Sequence, residues 1–247
     1  MGQCCASESQ EPKIELRADS AHLNPHVRLS SYAKGKDLDN EAIPENCQYV
    51  DKLPQCTEPQ LIEIMREIGP FTWQNCEEED TSVPLQKRPP VLFPSGAVFE
   101  GQWYKEKRHG RGTQVWKDNS RYDGQWKNGK ANGYGRLIHG DGDVYEGEWK
   151  DDTACGHGKY IHVEGAVYEG QWLNDCQHGY GKETWPDGAF YEGDYVQGKK
   201  NGEGKFHWTD NSYYYGEFKN NNINGKGNFF CCFFIFFIDF YCFLCLS

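Results

Sequence analysis

The chain has 247 residues, 37 of them acidic and 26 basic, for a formal net charge of −11. Residues 1–92 hold 16 acidic against 9 basic side chains, leaving 21 against 17 beyond, so the acidity sits mainly in the front third. Neutralising a phosphate backbone needs clustered Lys and Arg, which excludes nucleic acid as a partner. Among the 11 cysteines, Cys47, Cys56, Cys76, Cys155 and Cys176 are spaced neither as zinc pairs nor as a compact disulfide frame. The one Cys-x-x-Cys, Cys242 to Cys245, lies in an apolar tail without histidines.

Residues 1–7, MGQCCAS, read as an acylation signal. Removal of Met1 exposes Gly2 for a myristoyl chain, and Cys4 and Cys5 lie within reach of the same surface for palmitate. Two signals matter because a single myristoyl chain holds only marginally. Position 6 departs from the usual Ser or Thr in being Ala6, with Ser7 one place late. The first ten residues contain no apolar run, so no secretory signal is expected and a reducing, cytosolic setting is the default. Residues 8–56 are polar, without sustained period, and read as a disordered linker. Residues 57–69 carry helix punctuation: Thr57 as N-cap, Gln60 at the capping-box position, Pro59 in the first turn, Gly69 and Pro70 as the stop. Leu61, Ile64, Met65 and Ile68 form one stripe, so this short helix must dock, on the first repeat or on a partner. Residues 70–91 read as an acidic, Pro-containing spacer.

From residue 92 to 228 the chain repeats itself. An aromatic, a Gly two later and an aromatic four later recur in six units beginning at Phe99, Tyr122, Tyr145, Tyr168, Tyr191 and Tyr214, each step being 23 residues. Period two puts those three positions on one side of a strand. A Gly-x-Gly follows in every unit, for example Gly156 and Gly158, and these bare positions are expected to share a face and receive rings from a neighbouring strand, which is a use for glycines that strands otherwise disfavour. Two columns read as tight turns. One holds Glu106, Gly129, Asp152, Asp175, Gly198 and Asn221; the other holds Gly96, Asn119, Gly142, Gly165, Gly188 and Asn211, residues that accept positive φ. The expectation is all-β: an elongated single-layer antiparallel β-hairpin array with one short N-terminal helix and a disordered N-terminal region. At about 4.8 Å between strands, six hairpins span on the order of 60 Å.

The segments YDGQWKNGKANGYGRL and YEGQWLNDCQHGYGKE carry the Y-x-G-x-W and G-x-G signatures, and on them the chain resembles the MORN (membrane occupation and recognition nexus) repeat family. The resemblance implies a β-hairpin array of the kind found in junctophilins, plant phosphatidylinositol-phosphate kinases, radial-spoke heads and protist cytoskeletal proteins.

Enzymatic constellations are not found. The six Gly-x-Gly pairs sit in strands, whereas a phosphate cradle opens a helix. His139 and His162 share a repeat column about 10 Å apart, too far to share a zinc whose ligands lie at roughly 2.1 Å; they take the place that Trp116, Trp185 and Trp208 fill elsewhere. Glu100, Asp123, Glu146, Glu169 and Glu192 read as a solvated acidic face opposite the aromatics. Lys105, Lys107, Arg108 and Arg111 cluster at the first hairpin turn and could attract phosphoinositide headgroups, each charge contributing about 1 kcal/mol, or form an ordinary exposed loop. Eight of the 14 Phe lie beyond residue 228, and the apolar tail 229–247 reads either as a tail anchor with Asp239 its single charge or as a mistranslated extension.

The reading is therefore a non-enzymatic scaffold without cofactor or metal, held at the cytoplasmic face of a plasma or vesicle membrane and presenting its repeats to protein partners, with phosphoinositide contact. Two alternatives stand beside it: a cytoskeletal or ciliary structural protein, and an accessory module of a phosphatidylinositol-phosphate kinase.

Overall fold

The computed structural model describes residues 47–76 and 82–231, together with the backbone of 234–240. One antiparallel sheet of 16 strands runs through them. Its front edge is made by β1 (Gln48–Tyr49), β2 (Gln86–Lys87) and β3 (Val91–Leu92). Six hairpins follow in order: β4 (Val98–Tyr104) with β5 (Lys107–Val115), β6 (Arg121–Lys127) with β7 (Lys130–Ile138), β8 (Val144–Lys150) with β9 (Thr153–Ile161), β10 (Val167–Leu173) with β11 (Cys176–Thr184), β12 (Phe190–Val196) with β13 (Lys199–His207), and β14 (Tyr213–Lys219) with β15 (Asn222–Cys231). Strand β16 (Phe234–Phe240) closes the series by pairing with β15.

Both turn columns fold as the sequence implies. Inside each hairpin two successive residues have positive φ, such as Asp151 (50°) and Asp152 (68°), the backbone of a two-residue turn that matches strand twist. Between hairpins the Gly/Asn column is also at positive φ, and Trp116, His139, His162, Trp185 and Trp208 each close that loop by donating their backbone N–H to the carbonyl four residues on. The two histidines thus do occupy the tryptophan place.

The core lies on one face and is a ladder of rings. Within a unit the two aromatics meet edge to face, as Tyr145 and Trp149 do at 5.0 Å; the same Tyr145 meets Trp172 of the next unit at 5.1 Å. The pattern continues without a break from Phe99 to Phe218. Such pairs contribute about 0.5–1.5 kcal/mol each beyond area burial. The indole N–H of Trp126, Trp149 and Trp172 donates to the carbonyl of Gly112, Gly135 and Gly158, each at 3.1 Å, so the tryptophan ties its hairpin to the one before.

The glycines work differently from expectation in one respect. Gly147 and Gly158 face each other across one hairpin, and the ring above them is that hairpin's own Tyr145, whose Oη lies 2.4 Å from where a Cβ on Gly158 would stand. The other glycine of each Gly-x-Gly does not share this face. Gly156 has φ 60° and sits where the β8–β9 register slips; a Cβ there would strike Glu148 on the opposite side. The freed backbone N–H two residues after Cys155 is caught by that side chain: His157 N donates to Glu148 Oε1 at 2.9 Å. Tyr134 and Tyr180 donate likewise to Gln125 and Gln171. The column Gln102, Gln125, Glu148, Gln171 and Asp194 is therefore a set of bulge acceptors.

The N-terminal elements depart from the sequence reading. Helix α1 spans Pro59–Ile68, with Glu58 rather than Thr57 at the N-cap and no side-chain cap. Pro59 at the first helical position has no N–H to satisfy, so the missing capping box costs little. The helix docks on Ile138, Val144 and Ile161, in units two and three rather than on the first repeat. Leu61 is 1% exposed, a burial contributing about 1.5–3 kcal/mol. Residues 70–91 are not merely a spacer, since β2 pairs with β4 and β3 joins β1 to β4. Likewise β1 draws the end of the expected linker into the sheet. At the other end the backbone from Phe234 to Phe240 extends the sheet by a strand, and among the described residues no helix is long and apolar enough to cross a membrane; residues 241–247 lie outside those described.

Candidate interaction surface

Because the rings and the facing glycines fill the inner face, the outer face is where side chains remain available. Over units one to three it is already in use. After α1, Gly69 turns the chain and Phe71 lies over Tyr134, ring centroids 6.2 Å apart and planes at 19°. The Arg136 guanidinium stands 5.6 Å from the Phe71 ring, donates from Nη1 to the Gly69 carbonyl at 2.7 Å, and pairs through Nε with Glu146 at 2.7 Å. Tyr134 in turn donates its hydroxyl to Glu146 at 3.1 Å. Arg111 lies 5.7 Å from the Trp73 ring. Residues 59–76 thus form a strap: an amphipathic helix followed by two aromatic anchors, each lying over an arginine of the sheet. Burial pushes the thiol of Cys76, the strap's last residue, up, the Arg111 charge opposing it.

The expected solvated acidic face is accordingly only partly so. Glu100 and Glu169 are exposed. Asp123 is buried and paired with Arg121 at 2.6 Å, Glu146 holds Arg136, and Glu192 accepts the Tyr180 hydroxyl at 2.8 Å, a bond that is the main cause holding the Tyr180 phenol above its ordinary value.

The four basic residues at the first turn do not act together. Lys105 and Lys107 are exposed. Arg108 is 3% exposed: it is bonded to Gln114, donates to the Gly129 carbonyl at 2.6 Å and lies 4.4 Å from the Trp126 ring. It serves the core, and Arg111 is taken up by Trp73. Glu106, in the same turn, is drawn to Arg88 at 2.7 Å, which lowers its carboxyl from the ordinary value, so the acid between the two lysines is engaged elsewhere. Gly2, Cys4 and Cys5 lie outside the described residues. Among the described residues no group of three or more His, Cys, Asp or Glu could hold a metal ion.

Sequence reasoning also missed a buried ion pair. Glu183 and Lys200 meet at 2.8 Å with side chains 6% and 4% exposed, and Tyr195 adds its hydroxyl to Glu183 at 3.1 Å. The signal was in the columns, where Leu137 and Ala154 precede Glu183 and Lys200 by 46 residues and Trp149 so precedes Tyr195. A smaller ring leaves room that a paired charge fills.

The MORN repeat family model matches six consecutive stretches: residues 99–121, 122–144, 145–167, 168–190, 191–213 and 214–232. The chain belongs to the MORN-repeat family. MORN repeats point to a protein-interaction or scaffold role, and the family is in general non-catalytic. No curated protein matches the chain. Solved structures with some likeness include the TCP domain of SAS-4 (dCPAP) of Drosophila melanogaster, in complex with a proline-rich motif of Ana2 (dSTIL), at 13% identity over 66% of this chain and 80% of that one, TM-score 0.29. The TCP10 domain of Danio rerio CPAP in complex with a STIL peptide is 12% identical over 52% and 72%, TM-score 0.21. A catalytically inactive virginiamycin B lyase from Staphylococcus aureus with quinupristin is 15% identical over 66% and 59%, TM-score 0.18. At such values the likeness carries no functional argument.

Proposed function

We propose that this MORN-repeat chain is a non-enzymatic scaffold tethered by acyl groups on Gly2, Cys4 and Cys5 to the cytoplasmic face of a membrane, with its ribbon presenting the outer face to protein partners. The observation that carries the proposal is the strap: the outer face of units one to three already binds a polypeptide segment, and the inner face is occupied by the ring ladder. The tether rests on the MGQCC opening and on the need for two lipid chains in stable anchoring. Lys105 and Lys107, exposed and with Glu106 engaged by Arg88, support a phosphoinositide contact contributing about 1 kcal/mol per charge.

Replacing Gly2 by Ala and fractionating cells tests the tether, and unchanged membrane association overturns it. Liposomes with and without phosphoinositide test the headgroup contact. Lys105→Glu with Lys107→Glu is expected to weaken binding to phosphoinositide liposomes, whereas equal binding by both proteins removes that contact from the proposal.

A further inference from the structure

The strap's seat recurs. Adding 46 residues, two units, to the residues that hold Phe71 and the end of the helix turns Tyr134 into Tyr180, Arg136 into Lys182 and Glu146 into Glu192, so an aromatic, a cation and an acid are retained, while Arg111 beside Trp73 becomes His157. The hydroxyl of Tyr180 donates to Glu192 at 2.8 Å as that of Tyr134 does to Glu146 at 3.1 Å, which sets the ring in the same role. The three residues beneath α1, Ile138, Val144 and Ile161, become Thr184, Phe190 and His207. Phe190 and His207 stack flat at 4.9 Å and 9°, giving a floor of rings where the first seat has branched aliphatics. A shift of one unit or of three fails, because His157 or Glu203 then replaces the tyrosine.

The two seats differ in cover. Arg136 is 7% exposed beneath the strap, whereas Tyr180 is 55% exposed and Lys182 lies in solvent with Nζ 4.8 Å from the Phe190 ring. The bare strip continues directly from the covered one along the same face of one sheet.

We propose that the outer face of units four and five is a second seat of the same design, and that it takes from a protein partner a short amphipathic helix ending in a turn and an aromatic ring. The helix lies on Thr184, Phe190 and His207, its last free carbonyl accepts from Lys182 as Gly69 accepts from Arg136, and the aromatic ring covers Tyr180. The inference rests on the scaffold reading and names the partner's chemistry. A weaker grip than the strap's is expected, since the strap is tethered and so acts at a high effective concentration, and one aliphatic contact has become Thr184.

The probe is a fluorescein-labelled peptide of residues 57–76, added to the full chain, whose own strap fills the first seat. Saturable binding is expected, falling at least tenfold in Tyr180→Ser and in Lys182→Glu, two exposed positions whose replacement leaves the ring ladder intact. Replacing Phe71 by Ala in the peptide should weaken binding to the same degree. No binding, or binding unchanged in both variants, overturns the second seat. A concentration-dependent dimer in sedimentation that Tyr180→Ser abolishes overturns the choice of occupant in favour of a second copy. Partners cross-linked in cells to wild type and to Tyr180→Ser alike refute the seat and leave the scaffold reading standing; no cross-linked partner with either refutes the scaffold reading itself.

Discussion

Replacing Gly158 by Ala adds one methyl group at a position of ordinary backbone conformation, so its whole cost is space. The new Cβ would stand 2.4 Å from Tyr145 Oη and 2.7 Å from two ring carbons, where carbon contacts settle at about 3.5–4.0 Å. The ring must retreat by roughly 1 Å, and it is held on three sides. Its hydroxyl donates to the Glu148 carbonyl at 3.1 Å, and its ring meets Trp149 at 5.0 Å and Trp172 at 5.1 Å. Giving up the hydrogen bond costs about 1 kcal/mol, and the rest is overpacking at about 1–3 kcal/mol. A loss of about 3 kcal/mol is expected, read by urea unfolding followed through tryptophan fluorescence, with amide exchange accelerating first in β8 and β9 because repeats couple chiefly to their neighbours. Gly188→Ala is the contrast: nothing lies within 4 Å and only its φ of 91° is penalised, at about 1–2 kcal/mol. Tyr145→Leu in the Gly158→Ala background should restore part of the loss. If Gly158→Ala costs no more than Gly188→Ala, the packing of ring on bare backbone does not hold the array together.

Alkaline pH should unfold the protein in one step. Burial pushes the phenols of Tyr122, Tyr145, Tyr168, Tyr191 and Tyr195 well above their ordinary value and that of Tyr214 to about 12. The unfolded chain loses these protons from about pH 10 while the native state keeps them. The phenols' contribution to stability is therefore constant below about pH 10 and falls above it, by about 1.36 kcal/mol per pH unit for each such phenol; phenolate absorbance and loss of near-UV dichroism should rise together, and a gradual titration with intact dichroism contradicts this. Lys200→Met strands Glu183 in the core and should cost about 3–5 kcal/mol, whereas Glu183→Leu with Lys200→Ala and Tyr195→Trp copies Leu137, Ala154 and Trp149 and should be neutral or stabilising in the same unfolding assay. Leu61→Ala should cost about 2–5 kcal/mol, seen as faster amide exchange in residues 59–76 with exchange in β10 to β15 unchanged; simultaneous melting of the ladder would show the strap to be part of one core.

The repeat was legible because its chemistry is columnar. Six copies of aromatic, glycine and aromatic fix the inner face, and turn columns of Gly, Asn and Asp, with Glu106 the one departure, fix where the chain reverses. What single-strand alternation could not show is the bulge: placing Gly156 and Gly158 on one face assumes strict period two, and Gly156 sits where that period slips. The same limit applies to Arg108, charged and beside a turn, which reads as exposed until a ring at 4.4 Å and a carbonyl at 2.6 Å are seen to hold it. The helix was visible in its stripe and its Pro59 and Gly69 boundaries, but its seat was not, since no local pattern distinguishes Ile138 and Ile161 as a floor from ordinary alternating strand residues.

Sixteen strands laid side by side make an object whose long direction runs across its backbones. Tension applied between the two ends of the sheet would load the ladder's N–H···O bonds along their own length and in succession, as in opening a zip, instead of shearing many at once. Such a filament yields gradually under pull, one hairpin after another, and can re-form from whichever portion remains paired.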